Sequence, residues 1–246
     1  MDDPSEIQTL TEKIDELTRE KQHVLSIISH DLRSPLNRIF ALIRLTQMVG
    51  DNLTEEQKDY LDKMHLIVAD GLAMMQNLVD YRNLEYRGID IMIESVNVGD
   101  LIETTIKNFK SIAVKKNISF GGTREKDLII TSDKQCVGRV IDNLIGNAIK
   151  FSGPGTTVCI NTESIPNNRF KIEVKDEAPG FIAEEILKIF QKFQKLSARP
   201  TAGESTTGLG LFIAQSMAGK IGGKIFYSAR ERGGSAFTVD LSKKVG

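Results

Sequence analysis

Four stretches of the 246-residue chain hold residue types and spacings that could do chemistry. In Ser29-His30-Asp31-Leu32-Arg33-Ser34-Pro35-Leu36 an imidazole sits inside a helical pattern, with a proline just over one turn further on. Pro35 lacks an N–H, so the carbonyl of Asp31 loses its helical partner and a bend is expected one turn past His30. In Val137 to Phe151, Asn143, Asn147 and Lys150 recur at i, i+4 and i+7 on one helix face. An amide oxygen is a hard ligand suited to Mg²⁺, and a lysine supplies positive charge to phosphate. The same row can also be a solvated helix face. Asp176 closes an alternating run, Phe170 to Lys175, and is followed by Glu177-Ala178-Pro179-Gly180. Its carboxylate could accept a hydrogen bond from an exocyclic amine of a base, or could cap a turn. Last, Thr207-Gly208-Leu209-Gly210 opens a helical pattern, where free backbone N–H groups and the helix dipole bind phosphate.

These groups must be positioned by two kinds of element. Ile7, Leu10, Ile14, Leu17, Lys21, Val24 and Ile28 alternate at spacings of three and four, a coiled-coil seam broken only at Lys21. In that frame His30 occupies a c position and faces outward; His23, one heptad earlier, and His65 carry no further reading. The helical pattern runs on to Leu45 and stops at Val49-Gly50-Asp51-Asn52. Thr54 with Gln57 is a capping-box start for a second helix, striped by Leu61, Met64, Val68, Leu72, Met75 and Val79 and ending near Arg87-Gly88. A two-helix hairpin cannot bury so wide a stripe alone, so a homodimer with a four-helix bundle is expected. The competing arrangement is two helices lying on the second domain.

Beyond Gly88 the pattern turns to mixed α/β. Strands are expected at Ile89–Ile93, Leu128–Thr131, Thr157–Asn161, Phe170–Lys175, Lys224–Ser228 and Ala236–Leu241, and helices near 98–115, 133–150 and 209–221. Such alternation predicts one sheet covered by helices. The stripe Val137, Ile141, Leu144 and Ala148 is the core side of the helix that carries the asparagine row. Residues 1 to 87 hold 10 Lys and Arg against 16 Asp and Glu, and the remainder 22 against 17. An acidic hairpin is thus joined to a mildly basic domain that suits an anionic ligand. The whole chain carries a net charge of −1, which implies no bulk attraction to nucleic acid. No apolar run approaches the roughly 18 residues that span a bilayer, and the start Met1-Asp2-Asp3 is unlike a signal peptide. Cys136 and Cys159, without CxxC spacing or a nearby His, read as buried, reduced thiols of a cytoplasmic chain.

Taken in order from about residue 20, these stretches resemble the catalytic core of the sensor histidine kinases of two-component systems. His30 to Leu36 resembles that family's H box, Asn143 to Phe151 its N box and Asp176 to Gly180 its G1 box. Phe190-Gln191-Lys192-Phe193 resembles the F box, Thr207 to Leu211 the G2 box and Gly233 to Phe237 the closing glycine hairpin. The resemblance implies a fold of α plus α/β class: a helical hairpin forming a dimeric four-helix bundle, then a two-layer α/β sandwich of the Bergerat ATP-binding type. It divides the chain into a coiled-coil linker from an upstream sensor (1–20), a dimerisation and histidine phosphotransfer domain (21–90) and an ATP-binding catalytic domain (91–246). His30 becomes the phosphoacceptor, with Asp31 as the carboxylate that takes or holds the proton on the other ring nitrogen. Asn147 is the implied Mg²⁺ ligand. Asn143, Lys150, Lys195, Thr207, Gly208, Leu209 and Gly210 are implied around the phosphates, Asp176 at the adenine amine and Gly180 as a further nucleotide-binding position.

The phosphoryl group is expected to pass to an aspartate on a response-regulator receiver domain docked on the hairpin. Asp31 and Ser34 also resemble the family's phosphatase motif. No membrane contact is expected within this chain, although the seam near Met1 suggests a longer receptor whose own location is the membrane. Three positions depart from the pattern. Lys195 stands where the family usually has arginine, Ala178 where G1 has its first glycine and Thr206 where G2 has one. A methyl at Ala178 is expected to crowd the nucleotide or to conflict with a left-handed backbone, and Thr206 to stiffen the hinge of Phe190 to Thr207, the segment that the resemblance makes a mobile lid over the nucleotide. These departures motivate the alternative of a catalytically weak dimeric scaffold or phosphatase that binds a response regulator. A chaperone or serine-directed kinase with the same nucleotide fold is a third class, which lacks the His30 helix.

Overall fold

A computed structural model describes residues 4–50, 52–88, 90–231 and 233–243. Asp51 in the expected turn, Ile89 in the first expected strand and the Met1-Asp2-Asp3 start lie outside the described residues. The chain divides into two compact units, Met1–Gly88 and Ile89–Gly246.

In the first unit, helix α1 (Pro4–Val49) runs unbroken through Pro35 and packs against α2 (Glu55–Arg82). The capping box forms: Thr54 Oγ1 accepts from the Gln57 N–H, and the Gln57 side chain accepts from the Thr54 N–H, so two orphan donors of the helix start are satisfied. The second helix does not stay α-helical to residue 87. It passes into a π-helical turn, Asn83–Arg87, before Gly88 at φ +74°. The turn explains the break in the seam, because Tyr86 stands beneath Lys21, whose Nζ lies 6.0 Å from the ring centroid. Polar pairs join the two helices: Arg33 to Gln76 at 3.1 Å, Arg82 to Ser26 at 2.6 Å and Gln47 to Asp62 at 2.7 Å. His65 is a packing residue, with its ring tilted against Phe40 at 4.6 Å. The seam residues Ile7, Leu10, Ile14 and Leu17 remain 52–62% exposed, so the hairpin leaves its apolar stripe uncovered within one chain.

In the second unit, strands β1 (Ile93–Asn97), β2 (Ser119–Gly121), β3 (Ile129–Asp133), β4 (Thr157–Ile165), β5 (Arg169–Lys175), β6 (Lys224–Ala229) and β7 (Ser235–Ser242) alternate with helices α3 (Val98–Lys115), α4 (Lys134–Phe151), α5 (Ala183–Ile186) and α6 (Gly210–Lys220). Two sheets form where one was expected. Strands β1 and β3 make an antiparallel pair, and the larger sheet has the order β2-β4-β5-β7-β6, with only β2 and β4 parallel. The alternation read in β5 has a physical basis: Phe170, Ile172 and Val174 point into the core while the residues between them are half-buried.

Helix α4 forms the centre of the helical layer and packs on both α3 and α6. Its expected stripe is buried in full, joined by Cys136, Val140, Ile145 and Ile149. Asp133 begins it by accepting from Cys136 N at 2.7 Å, and its second oxygen accepts from Met92 N at 2.8 Å. That bond fixes the chain just before β1 and moves the strand four residues beyond the expected Ile89–Ile93. Gly146 lets α3 approach, since a Cβ there would lie 3.2 Å from the Phe109 ring. Cys136 is buried, but Cys159 is only half-buried, because it sits on the face of β4 turned away from the core; neither is in a disulfide.

Candidate functional site

The side chains of α4 that do not face the core meet the start of α6. A Cβ on Gly210 would stand 3.1 Å from Asn143 Oδ1 and 3.7 Å from both terminal atoms of the Asn147 amide. Two of the four motifs, some sixty residues apart, therefore converge on one point, and a side chain at 210 would fill the space between them. Asn143 Nδ2 also donates to the Arg139 carbonyl at 2.8 Å, which fixes the amide with its oxygen outward. The turn into α6 requires Gly208 at φ +67°, where a Cβ would lie 2.5 Å from the Gln194 carbonyl oxygen. That close approach seats 207–210 on the Phe190–Phe193 stretch. Thr207 Oγ1 accepts from Leu209 N at 3.3 Å.

From Asn147 a cleft opens past Phe151, Ala198 and Leu211 to Asp176, Ala178, Gly180, Phe181, Ser235 and Phe237. Asp176 lies at its buried end, only 4% exposed. Ala178 N and Ser235 N both donate to Oδ1, each at 3.0 Å, so Oδ2 is the oxygen left for a ligand. Burial pushes the Asp176 carboxyl above its ordinary value, opposed by those two N–H groups and by the charge of Arg230. Arg230 Nη1 also bonds the Asp176 carbonyl at 2.6 Å. Gly234, at φ +110°, lets the β6–β7 turn lie directly on that same carbonyl, where any Cβ would collide. Gly180 takes φ +77° at the cleft wall.

The departure at 178 does not carry the backbone conflict it suggested, since Ala178 has no positive φ. Ala178 is buried with its N–H in use, and Ala in an ordinary backbone restricts the unfolded chain. Ala178→Gly is therefore expected to lower stability by about 0.4–1 kcal/mol, read as a lower denaturant midpoint at unchanged slope. A gain in stability would show that the methyl is strained.

Lys150 and Lys195 are placed differently from Asn147. Lys150 Nζ is bonded to the carbonyl of Ser205, and Lys195 is exposed and outside the cleft wall. The apolar wall of Phe151, Phe181, Leu211 and Phe237 escaped the sequence reading, because nothing separates a cleft aromatic from a core aromatic in a pattern. In the hairpin unit, His30 and Asp31 are exposed at 86% and 66% of their side chains, as the c position requires of His30. His30 Nδ1 stands 3.0 Å from Asp31 Oδ1, so the ionised carboxylate fixes the proton on Nδ1 and leaves the Nε2 lone pair available. Ser34 is exposed one turn further on.

This geometry coincides with two family matches. Residues 20–87 match the His Kinase A (phospho-acceptor) domain, and residues 132–245 match the Histidine kinase-, DNA gyrase B-, and HSP90-like ATPase. The chain is the catalytic core of a sensor histidine kinase. Among its curated relatives, the Swarming motility regulation sensor protein RssA of Serratia marcescens is 24% identical over 96% of this chain and 50% of its own length. Sensor protein GacS of Pseudomonas syringae pv. syringae is 27% identical over 92% of the chain and 25% of its own length. The chain thus spans half of the first and a quarter of the second. Among solved structures, the catalytic domain of histidine kinase ThkA is 27% identical with a TM-score of 0.55, covering 63% of this chain and 99% of its own. Full-length ShkA in complex with AMPPNP, 22% identical over 89% of this chain and 45% of its own, shares the fold with a TM-score of 0.64. No described helix is long and apolar enough to cross a membrane.

Proposed function

We propose that this core binds Mg²⁺-ATP in the cleft between α4 and α6, phosphorylates His30 and donates the phosphoryl group to an aspartate of a response-regulator receiver domain. The observation that carries the reading is the cleft that joins Asn147 to Asp176, with Gly210 packed on Asn143 and Asn147. Asp176 Oδ2 accepts from the adenine amine, and the Phe181 and Phe237 rings give the base an apolar wall. The N–H groups at the start of α6 and the Asn143 amide face the phosphates. Lys195 reaches them as a point charge from its exposed position.

A metal fits this donor set. Among the described residues no group of three His, Cys, Asp or Glu could form a cage, and Mg²⁺ needs none, being held by one or two protein oxygens plus phosphate and water. The Asn147 oxygen would be that ligand, and Mg²⁺ held there would supply positive charge against the transferring group. In the transfer, His30 Nε2 forms a bond to the γ-phosphorus as the bond to the β,γ-bridging oxygen breaks and ADP leaves. Asp31 stabilises the positive ring through Nδ1 and takes or shares its proton. The phosphoryl group then moves from Nε2 to the receiver carboxylate, and neutral His30 is restored.

The exposed stripe of α1 supports a homodimer, since such a seam is stable only when covered. Cysteines outside any disulfide and the use of ATP are consistent with a cytoplasmic core. Ser34, on the same helix face as His30, is the residue that would orient a water for the reverse, phosphatase reaction. The weak-scaffold alternative loses one of its motives, because Ala178 has no positive φ, while its methyl still lines the cleft. Asn147→Ala tests the reading. Calorimetry is expected to show a drop of about 10- to 100-fold in affinity for ATP with Mg²⁺, and a much smaller drop without it. Equal losses in both conditions would remove Asn147 as the metal ligand.

A further inference from the structure

The segment before the glycine turn is tied to the end of α4 by a lysine that no motif contains. Lys116, which follows α3, has a side chain only 8% exposed. Its ammonium donates to Ile149 O at 2.8 Å, to Lys150 O at 3.0 Å and to Glu204 Oε1 at 3.1 Å, so all three protons are used. The two carbonyls belong to the last turn of α4, which has no helical donors for them and carries the negative end of the dipole. Glu204 Oε2 accepts from Ala202 N at 2.9 Å, and Thr201 donates from N to Lys150 O at 3.1 Å and from Oγ1 to Ser152 O at 2.7 Å. Segment 201–205 is thereby held on the helix that bears Asn143 and Asn147, just before the Gly208 turn.

We propose that Lys116, through Glu204, is the positioning residue that fixes segment 201–205 on the end of α4 and so holds the phosphate side of the cleft in shape. The Lys116 side chain is buried and Glu204 half-buried, so the loss of either leaves the other partly desolvated and uncompensated, and the tie is cooperative. Its effect on nucleotide binding rests on the ATP reading above; the tie itself does not.

The test uses the whole chain as Lys116→Met, Glu204→Ala and the double variant. Hydrogen exchange of a peptide covering 201–207 is expected to quicken about tenfold in Lys116→Met, with β4 and β5 unchanged, and the double variant to be no faster than Lys116→Met. Affinity for a fluorescent ATP analogue is expected to fall about fivefold in Lys116→Met, with phosphorylation at saturating ATP within about twofold of wild type. Unchanged exchange at 201–207, additive single effects or a loss confined to the saturated rate would each overturn the proposal. Absence of ATP binding by wild type would instead refute the nucleotide reading, while the exchange result still decides the tie.

Discussion

Asp176→Asn is expected to fold and to lose ATP affinity by about 10- to 100-fold, because the adenine amine then meets an amide N–H in place of a carboxylate oxygen. The fold survives because the amide oxygen can still accept from Ala178 N and Ser235 N, the two bonds that anchor Oδ1. Base preference should change with affinity: a guanine carbonyl can accept from the new amide, so the preference for ATP over GTP should shrink. Stability carries its own sign. Burial raises the Asp176 pKa in the folded chain, so the group favours folding below its ordinary value, and that contribution is lost as pH rises through the folded value. Asn does not titrate, so the variant should show a flatter stability profile across that acidic window and be at least as stable as wild type at neutral pH. A variant that unfolds at neutral pH, or that binds ATP as wild type does, would remove Asp176 as the base-reading group.

Much of this was legible in the sequence because single faces carry it. Helix α4 has a stripe at helical spacing that is buried as read, and a separate row of Asn143, Asn147 and Lys150 that stays half-buried on another face. Thr54 with Gln57, and the alternation of β5, are local signals that local physics obeys. What escaped depends on partners distant in the chain. Strand β2 is three residues long and exists through parallel pairing with Thr157–Cys159, which no local pattern announces. The position of β1 is set by Asp133, forty-one residues from the Met92 N–H it holds. Lys150 reads as a phosphate ligand from its place in the row, yet its ammonium reaches the Ser205 carbonyl because segment 201–205 folds over the helix end. Lys116 looks like any lysine after a helix until the α4 carbonyls close around it.

The second large effect concerns His30, and it bears on the central claim. The imidazole is exposed, its Nδ1 is held by Asp31 and its Nε2 is open, so one group should accept the phosphoryl and no neighbour should replace it. His30→Gln retains a polar side chain on an exposed face of α1 and should fold, dimerise and bind ATP as wild type does. The deciding measurement is incubation with ATP labelled at the γ-phosphate and Mg²⁺, followed by acid and base treatment of the protein. The expected result is a label on wild type that survives base, is lost in acid as a phosphoramidate is, and is absent from His30→Gln. A label that survives acid, or one that persists on His30→Gln, would contradict the assignment of His30 as phosphoacceptor.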